Sequence, residues 1–312
     1  MKQIIASIVS VLLATTVFAQ EDFLADDYKL FGRKEPFSLG ALFSALGTGS
    51  VLVNPANVAF VSDNRISFGG GASGIGEGGF ISWMAPNFSI SSSVQKVESS
   101  DLPGINHEKQ LLHFGFGISA SDLGYGSEKR DIGLGMAIKR KADRLLNPND
   151  DQDAGGNSVS VDLGLVVKWD RLAFEMVVVD MNRPRLSHSD FYYGRGLLLG
   201  GRFSTAAGLT IALQGIGGNH YAGSDFGLSV AAEQSFMDRR LVSRLQLTSF
   251  YHGSEATAQN ISASIGYRLN PKTQTVSFLA FFLKDLEFSY ALSFLALPQN
   301  VGTHMVVVTK YF

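Results

Sequence analysis

From Asn64 to Phe312 the chain is a succession of short segments in which apolar residues alternate with small or polar ones, with turn residues between them. Successive side chains of an extended strand point to opposite faces, so alternation of this kind describes strands that are apolar on one side only. In Ser158–Trp169 the residues Val159, Val161, Leu163, Leu165 and Val167 share one face, and Ser158, Ser160, Asp162, Gly164 and Lys168 share the other. Asp131–Lys141 repeats the pattern, with Ile132, Leu134, Met136 and Ile138 opposite Gly133, Gly135, Ala137 and Lys139. No segment after the first residues holds the 18 or so uninterrupted apolar residues of a membrane-spanning helix.

Alternation alone does not separate a soluble sandwich, whose apolar faces meet inside, from a barrel whose apolar faces meet lipid. Three further features favour the barrel. The first residues, MKQIIASIVSVLLATTVFAQ, carry a charge at Lys2, an apolar core from Ile4 to about Leu13 and the small-residue site Val17-Phe18-Ala19. That is the pattern of a secretory signal peptide cleaved after Ala19, and its apolar run is shorter than the roughly 20 residues of a spanning helix. No cysteine occurs in the chain, which excludes a lipoprotein and leaves disulfide bonds out of the account. The last stretch, HMVVVTKYF (304–312), is β-branched and aromatic and ends on Phe312. A terminal strand of this kind is expected to close on the first strand, leaving no open edge in lipid, and to be read by the barrel-assembly machinery. Lys310 departs from the pattern, since an apolar residue is expected two before the final Phe. Composition agrees: 45% of residues are hydrophobic, 17% are charged, and there are 34 glycines and 23 phenylalanines.

The strands are expected at Arg65–Ala72, Gly79–Ala85, Phe88–Val97, Gln110–Ser119, Asp131–Lys141, Ser158–Trp169 and Leu172–Met181. They continue at Arg195–Ser204, Leu209–Gly217, Phe226–Phe236, Leu241–His252, Ile261–Leu269, Val276–Leu297 and His304–Phe312. Single-chain outer-membrane barrels have an even number of strands, with short turns at the periplasmic end. Taking Val276–Leu297 as one long strand with a bulge near Lys284-Asp285 gives fourteen, whereas a hairpin there gives an odd number. Tight periplasmic turns are then expected at Ala85-Pro86-Asn87, Trp169-Asp170-Arg171, Thr205-Ala206-Ala207, Met237-Asp238-Arg239 and Asn270-Pro271. Longer outer loops fall at Ala142–Asn157, Asn182–Gly194, Gly218–Asp225 and Gly253–Asn260. The expected fold is an all-β, 14-stranded antiparallel transmembrane barrel over 64–312. A signal peptide (1–19) and a periplasmic tail with a lumenal hatch (20–63) precede it.

The segment before the barrel does not alternate. After an acidic start, Phe37–Leu46 has the spacing of a short helix, Gly47-Thr48-Gly49-Ser50 breaks it, and Val51-Leu52-Val53-Asn54-Pro55-Ala56-Asn57-Val58-Ala59-Phe60 follows. A small-residue stretch running into Asn-Pro-Ala just before the first strand resembles the N-terminal hatch of the FadL/PorV superfamily of outer-membrane barrels. The resemblance implies fourteen strands, residence in the outer membrane of a diderm bacterium, and a hatch formed by Gly47, Gly49, Asn54, Pro55 and Ala56. It also implies one of two roles. At the FadL end of the superfamily, small hydrophobic molecules pass through the barrel past the hatch and leave through the wall at a kinked strand. At the PorV end, exported proteins are held at the cell surface, and the loops 142–157 and 182–194, with Phe191, Tyr192 and Tyr193, would be the working parts. A structural barrel without cargo is the third possibility.

The inward charges Lys168, Glu175, Arg202, Glu233, Arg244 and Arg268 all lie within a few residues of a periplasmic turn. Opposite charges on neighbouring strands attract, so these six are expected to form a belt that closes the lower lumen and holds the hatch. Inward glycines (Gly115, Gly117, Gly133, Gly135, Gly164, Gly200) are expected to leave space in the lumen or to relieve curvature. Other chemistry is absent from the sequence. The six histidines show no spacing suited to a metal, there is no nucleophile elbow, and Gly69-Gly70-Gly71 lacks the helix and lysine of a phosphate loop. The acidic loop NPNDDQD (147–153) lacks the ordered ligand spacing of a calcium loop. No enzyme, no cofactor and no metal is expected, and a net charge of −2 argues against a nucleic-acid partner. The expected partners are outer-membrane lipid and either a hydrophobic small molecule or secreted proteins.

Overall fold

The structure is a computed structural model that describes residues 54–73, 76–98, 106–127, 130–146, 154–185, 187, 195–221, 224–237, 240–252, 255–269, 285–297 and 301–312. The signal peptide, the acidic tail, the Phe37–Leu46 segment, Gly47 and Gly49 lie outside the described residues, as do Phe191, Tyr192 and Tyr193.

Fourteen strands form one closed antiparallel barrel in which every strand pairs with its neighbours in sequence and the last pairs with the first. They are β1 (Arg65–Ser73), β2 (Gly76–Ala85), β3 (Phe88–Glu98), β4 (Asn106–Ser119), β5 (Arg130–Leu146), β6 (Ala154–Trp169) and β7 (Leu172–Val179). Then follow β8 (Gly196–Ser204), β9 (Leu209–Tyr221), β10 (Ser224–Phe236), β11 (Leu241–His252), β12 (Glu255–Leu269), β13 (Leu286–Leu297) and β14 (Val301–Tyr311). Closure runs along Arg65↔Tyr311 to Ser73↔Thr303, and the Phe312 amide donates to the Asn64 carbonyl at 2.8 Å. The end carrying Asn64 and Phe312 is called the lower end below.

The faces are those the alternation implies. Ile132, Leu134, Met136, Val159 and Leu163 are exposed on the outside, while Ala137, Lys139, Ser158, Ser160 and Asp162 are buried within. An apolar exterior around a polar interior is the arrangement of a barrel whose solvent is lipid, and among the described residues no second sheet packs on it. Trp83 and Trp169 stand on this outer face near the lower end, with the Arg130 guanidinium 4.9 Å from the Trp169 ring centroid. Amphipathic rings at that height suit a membrane–water boundary. Lys310 shares the outward register of Val306 and Val308, and its Nζ lies 5.8 Å from the Phe312 ring centroid.

The strand count stands. Of the expected strand Val276–Leu297, residues 276–284 lie outside the described residues. β13 starts at Leu286, opposite Leu269 of β12, and Asp285 is a turn residue with φ 56° whose amide donates to the Leu269 carbonyl. β12 and β13 are therefore joined at the lower end, and the expected turn at Asn270-Pro271 lies outside the described residues. Ladder irregularities lie between Ser224 and Phe226, between Phe250 and Tyr251 and between Gln259 and Asn260, all toward the upper end. The β2–β3 and β3–β4 ladders run without a register shift. Several outer loops are also shorter than expected. Between Tyr221 and Ser224, and between His252 and Glu255, only two residues intervene, because the strands continue through polar residues that carry no alternation signal. β7 is the exception, ending at Val179, where Asp180 turns with φ 50°.

Candidate functional site

The site is built around Asn54–Phe60, which lies inside the lower half of the barrel. Pro55–Phe60 is a short 3-10 helical turn of six residues. Its geometry is local in origin: the Asn54 side chain caps it by accepting the Ala56 amide at 3.0 Å, and Pro55 supplies the fixed φ that suits a first helical position. Asn54, Pro55, Ala56 and Val58 are fully buried.

The turn packs on the inner faces of β4, β5 and β6, against positions without side chains. A Cβ built on Gly135 would collide with the Pro55 carbonyl carbon and the Ala56 nitrogen, and one on Gly164 with Asn54 Oδ1. On Gly117 it would sit 2.8 Å from the Ala59 nitrogen, and on Gly133 2.6 Å from the Phe60 ring. These inward glycines do not leave the lumen open at this height, as expected from sequence; they form a cradle that the turn fills. Gly200 is different, with Gln214 of the neighbouring strand as its nearest contact. On the other side Val58 packs on Met84 of β2, and the Val58 carbonyl accepts the Asn87 amide at 3.4 Å.

Three of the six belt residues meet the turn. Arg202 Nε lies 2.8 Å from Glu175 Oε1. Glu175 Oε2 accepts from the side-chain amides of both Asn54 and Asn57, each at 3.3 Å. Arg202 Nη2 then donates to Asn57 Oδ1 at 3.2 Å, and Asn54 Nδ2 also reaches the Leu165 carbonyl at 3.3 Å. Lys168 sits with its ammonium 3.3 Å from the centroid of the Phe60 ring, a contact that gains strength away from water. The other three residues stand apart. Glu233 and Arg244 pair with each other at 2.7 Å across β10 and β11. Arg268 reaches Asp285 at 3.2 Å and covers the Tyr311 ring. The small pair Ala212 and Ala231 interrupts the wall between Arg202 and Arg244, so the charges form separate groups rather than a continuous belt.

Two features of the lumen were not recognised as sites in the sequence. Asn57 completes the Glu175–Arg202 network, a role visible only once three distant segments are brought together. Higher up, Lys139 bridges Asp162 at 2.6 Å and Asp180 at 3.3 Å, and Lys141 reaches Asp180 at 2.5 Å. The inward parity of Lys139 and Asp162 is legible in their strands, whereas Asp180 enters the lumen through the turn that ends β7. Among the described residues there is no group of His, Cys, Asp and Glu side chains able to hold a metal ion.

No protein-family model matches the sequence, and no curated protein matches it. Solved structures do match the fold. The Ralstonia pickettii toluene transporter TbuX is similar at a TM-score of 0.56 and 9% identity, covering 86% of this chain and 94% of that one. The CymD monoaromatic hydrocarbon channel gives 0.55 and 11% identity, covering 91% and 98%. A Pseudomonas aeruginosa FadL homologue gives 0.51 and 9%, covering 88% and 95%. The chain is therefore a closed fourteen-stranded barrel with the fold of the FadL-type transporters.

Proposed function

We propose that this protein is an outer-membrane channel that passes small hydrophobic molecules, with the Asn54–Phe60 turn as a hatch across its lower, periplasmic half. The observation that carries this reading is the placement of the turn. A buried segment held inside the barrel by side-chain hydrogen bonds of Asn54 and Asn57 with Glu175 and Arg202 is a plug that can be displaced without breaking a single ladder. The barrel around it shares its fold with structures described as a toluene transporter and a monoaromatic hydrocarbon channel.

Transport in this reading is passive. The apolar exterior holds the barrel in lipid, and the hatch and its charges prevent free exchange of water and ions. Cells lacking the protein, complemented with the wild-type chain, are expected to take up radiolabelled toluene faster than uncomplemented cells. Equal rates would contradict the proposal. A stoichiometric exported protein, co-purified in place of any transport activity, would assign the barrel to the secretion-accessory role instead.

A further inference from the structure

One row of cross-strand neighbours inside the barrel is polar at every position. Thr309 of β14 stands opposite Ser67 of β1, Ser67 opposite Ser82, Ser82 opposite Ser91, Ser91 opposite His113, and His113 opposite Lys139. All six side chains are buried, and Ser160 of β6 continues the row beyond Lys139. Strand tilt makes the row climb. Thr309 is two residues from the lower end of β14 and Lys139 nine from that of β5, an ascent of about 18 Å for ~3.3 Å per residue and a tilt near 40°.

The rows on either side are mixed. Above it lie Val307, Gly69, Phe80, Ser93, Leu111 and Lys141, and Val307 and Phe80 belong to an apolar cluster with Met305 and Ala291. Below it lie Arg65, Met84, Ser89, Gly115 and Ala137. Beside the lower part of the rail the wall thus presents an apolar strip at Phe80 and Val307.

The hydrogen bonding of the rail is complete at its foot and open in its middle. Ser67 Oγ and Thr309 Oγ1 bond each other at 2.9 Å. By contrast, Ser82 Oγ, Ser160 Oγ and both ring nitrogens of His113 are buried without a partner, as is Ser89 Oγ beside them. A buried polar atom without a partner costs free energy, and clusters of them are rare in native structures unless something fills the gap. His113 is 1% exposed. The neighbouring charges are already matched, since Lys139 lies on Asp162 and Asp180. The open groups are therefore hydroxyls and an imidazole, which both donate and accept.

We propose that the Ser82–His113–Ser160 stretch of this rail is a binding station for a small neutral solute bearing a hydroxyl or carbonyl group, with its apolar body laid on the Phe80–Val307 strip. The inference rests on the conduit reading and narrows it, from hydrophobic molecules at large to amphipathic ones. Lys139, the cation within the row, is already matched by Asp162 and Asp180, which argues against an anion there.

Toluene and 4-methylphenol differ by one hydroxyl and form the test pair. Their affinities for the full-length protein in lipid nanodiscs, measured by calorimetry, are expected to favour 4-methylphenol by about tenfold, the equivalent of one to two neutral hydrogen bonds. His113→Leu is expected to remove that preference. Ser82→Ala or Ser160→Ala, each deleting a single oxygen, is expected to reduce the preference by several-fold, whichever serine the hydroxyl reaches. Equal affinity for the two probes in the wild type, or a preference that survives all three variants, overturns the station. If toluene is transported but 4-methylphenol does not bind, water alone satisfies these groups and only the station fails. If neither probe binds or crosses, the conduit reading fails and the station falls with it.

Discussion

The Asn54 amide nitrogen donates to Glu175 Oε2 at 3.3 Å, joining residues 121 apart in sequence across the inside of the barrel. The same oxygen takes the Asn57 amide, and the other oxygen takes Arg202. Removing this carboxylate leaves the Asn57 amide without this acceptor and the half-buried Arg202 without its counter-ion. Loss of one member of a fully buried pair costs about 3–5 kcal/mol, an upper bound for this half-buried one. Glu175→Ala is expected to release the turn, with cleavage by added protease near Val58 in a barrel that still migrates as folded. Protection of Val58 equal to wild type would show that the ion pair does not hold the hatch.

Gly135 makes a steric prediction of the same docking. Gly135→Val places carbon where the Pro55–Ala56 peptide lies. Overpacking of this kind costs about 1–3 kcal/mol, and the turn, held mainly by side chains, is expected to yield before the wall. Conductance in planar bilayers should rise as the lower lumen opens. Gly217→Ala is the control, because a Cβ there meets nothing within 4 Å, and it is expected to conduct as wild type.

The β4–β5 connection at the lower end makes a pH prediction. Asp122 Oδ2 accepts the Ser119 amide at 2.8 Å, and the Asp122 amide donates to Ser119 Oγ at 3.2 Å. The Ser119 backbone bond, then its side-chain bond, hold the Asp122 carboxyl below its ordinary value. A depressed carboxylate stabilises the fold above its unfolded value, and that contribution disappears as pH falls through the folded value. Amide exchange at Leu123–Tyr125 is expected to be slowed at neutral pH and to accelerate, relative to the intrinsic rate, on acidification below the usual carboxylate range. Asp122→Asn is expected to abolish this pH dependence. A profile unchanged in the variant would assign the effect to another group.

The barrel was legible in the sequence because lipid outside and polar groups inside force a strict period of two. Val159, Val161 and Leu163 carry that signal on their own. Where the outward residues turn polar, as at Arg140 and Arg144 on β5, the strand persists on its ladder bonds while the pattern fades. That is why the upper strand ends were placed too low. Val276–Phe282 is apolar enough to read as strand, and the β12–β13 register begins only at Leu286, with 270–284 outside the described residues. In the site, Asn54-Pro55-Ala56 announced a turn, and Lys168, Glu175 and Arg202 announced inward charges. The meeting of Glu175 and Arg202 at Asn57, and of Lys168 with Phe60, depends on the register of β4 through β8, which no local pattern encodes.

The central claim is that the apolar faces of these strands lie in lipid. It is tested most directly with Leu134→Trp in a chain whose Trp83 and Trp169 are both replaced by Phe. The protein is reconstituted in vesicles, and fluorescence is measured with lipids brominated on their acyl chains and, separately, with aqueous iodide. Strong quenching by the brominated lipid and protection from iodide is the predicted result. Quenching by iodide with no response to bromine would place Leu134 in water and contradict the transmembrane barrel.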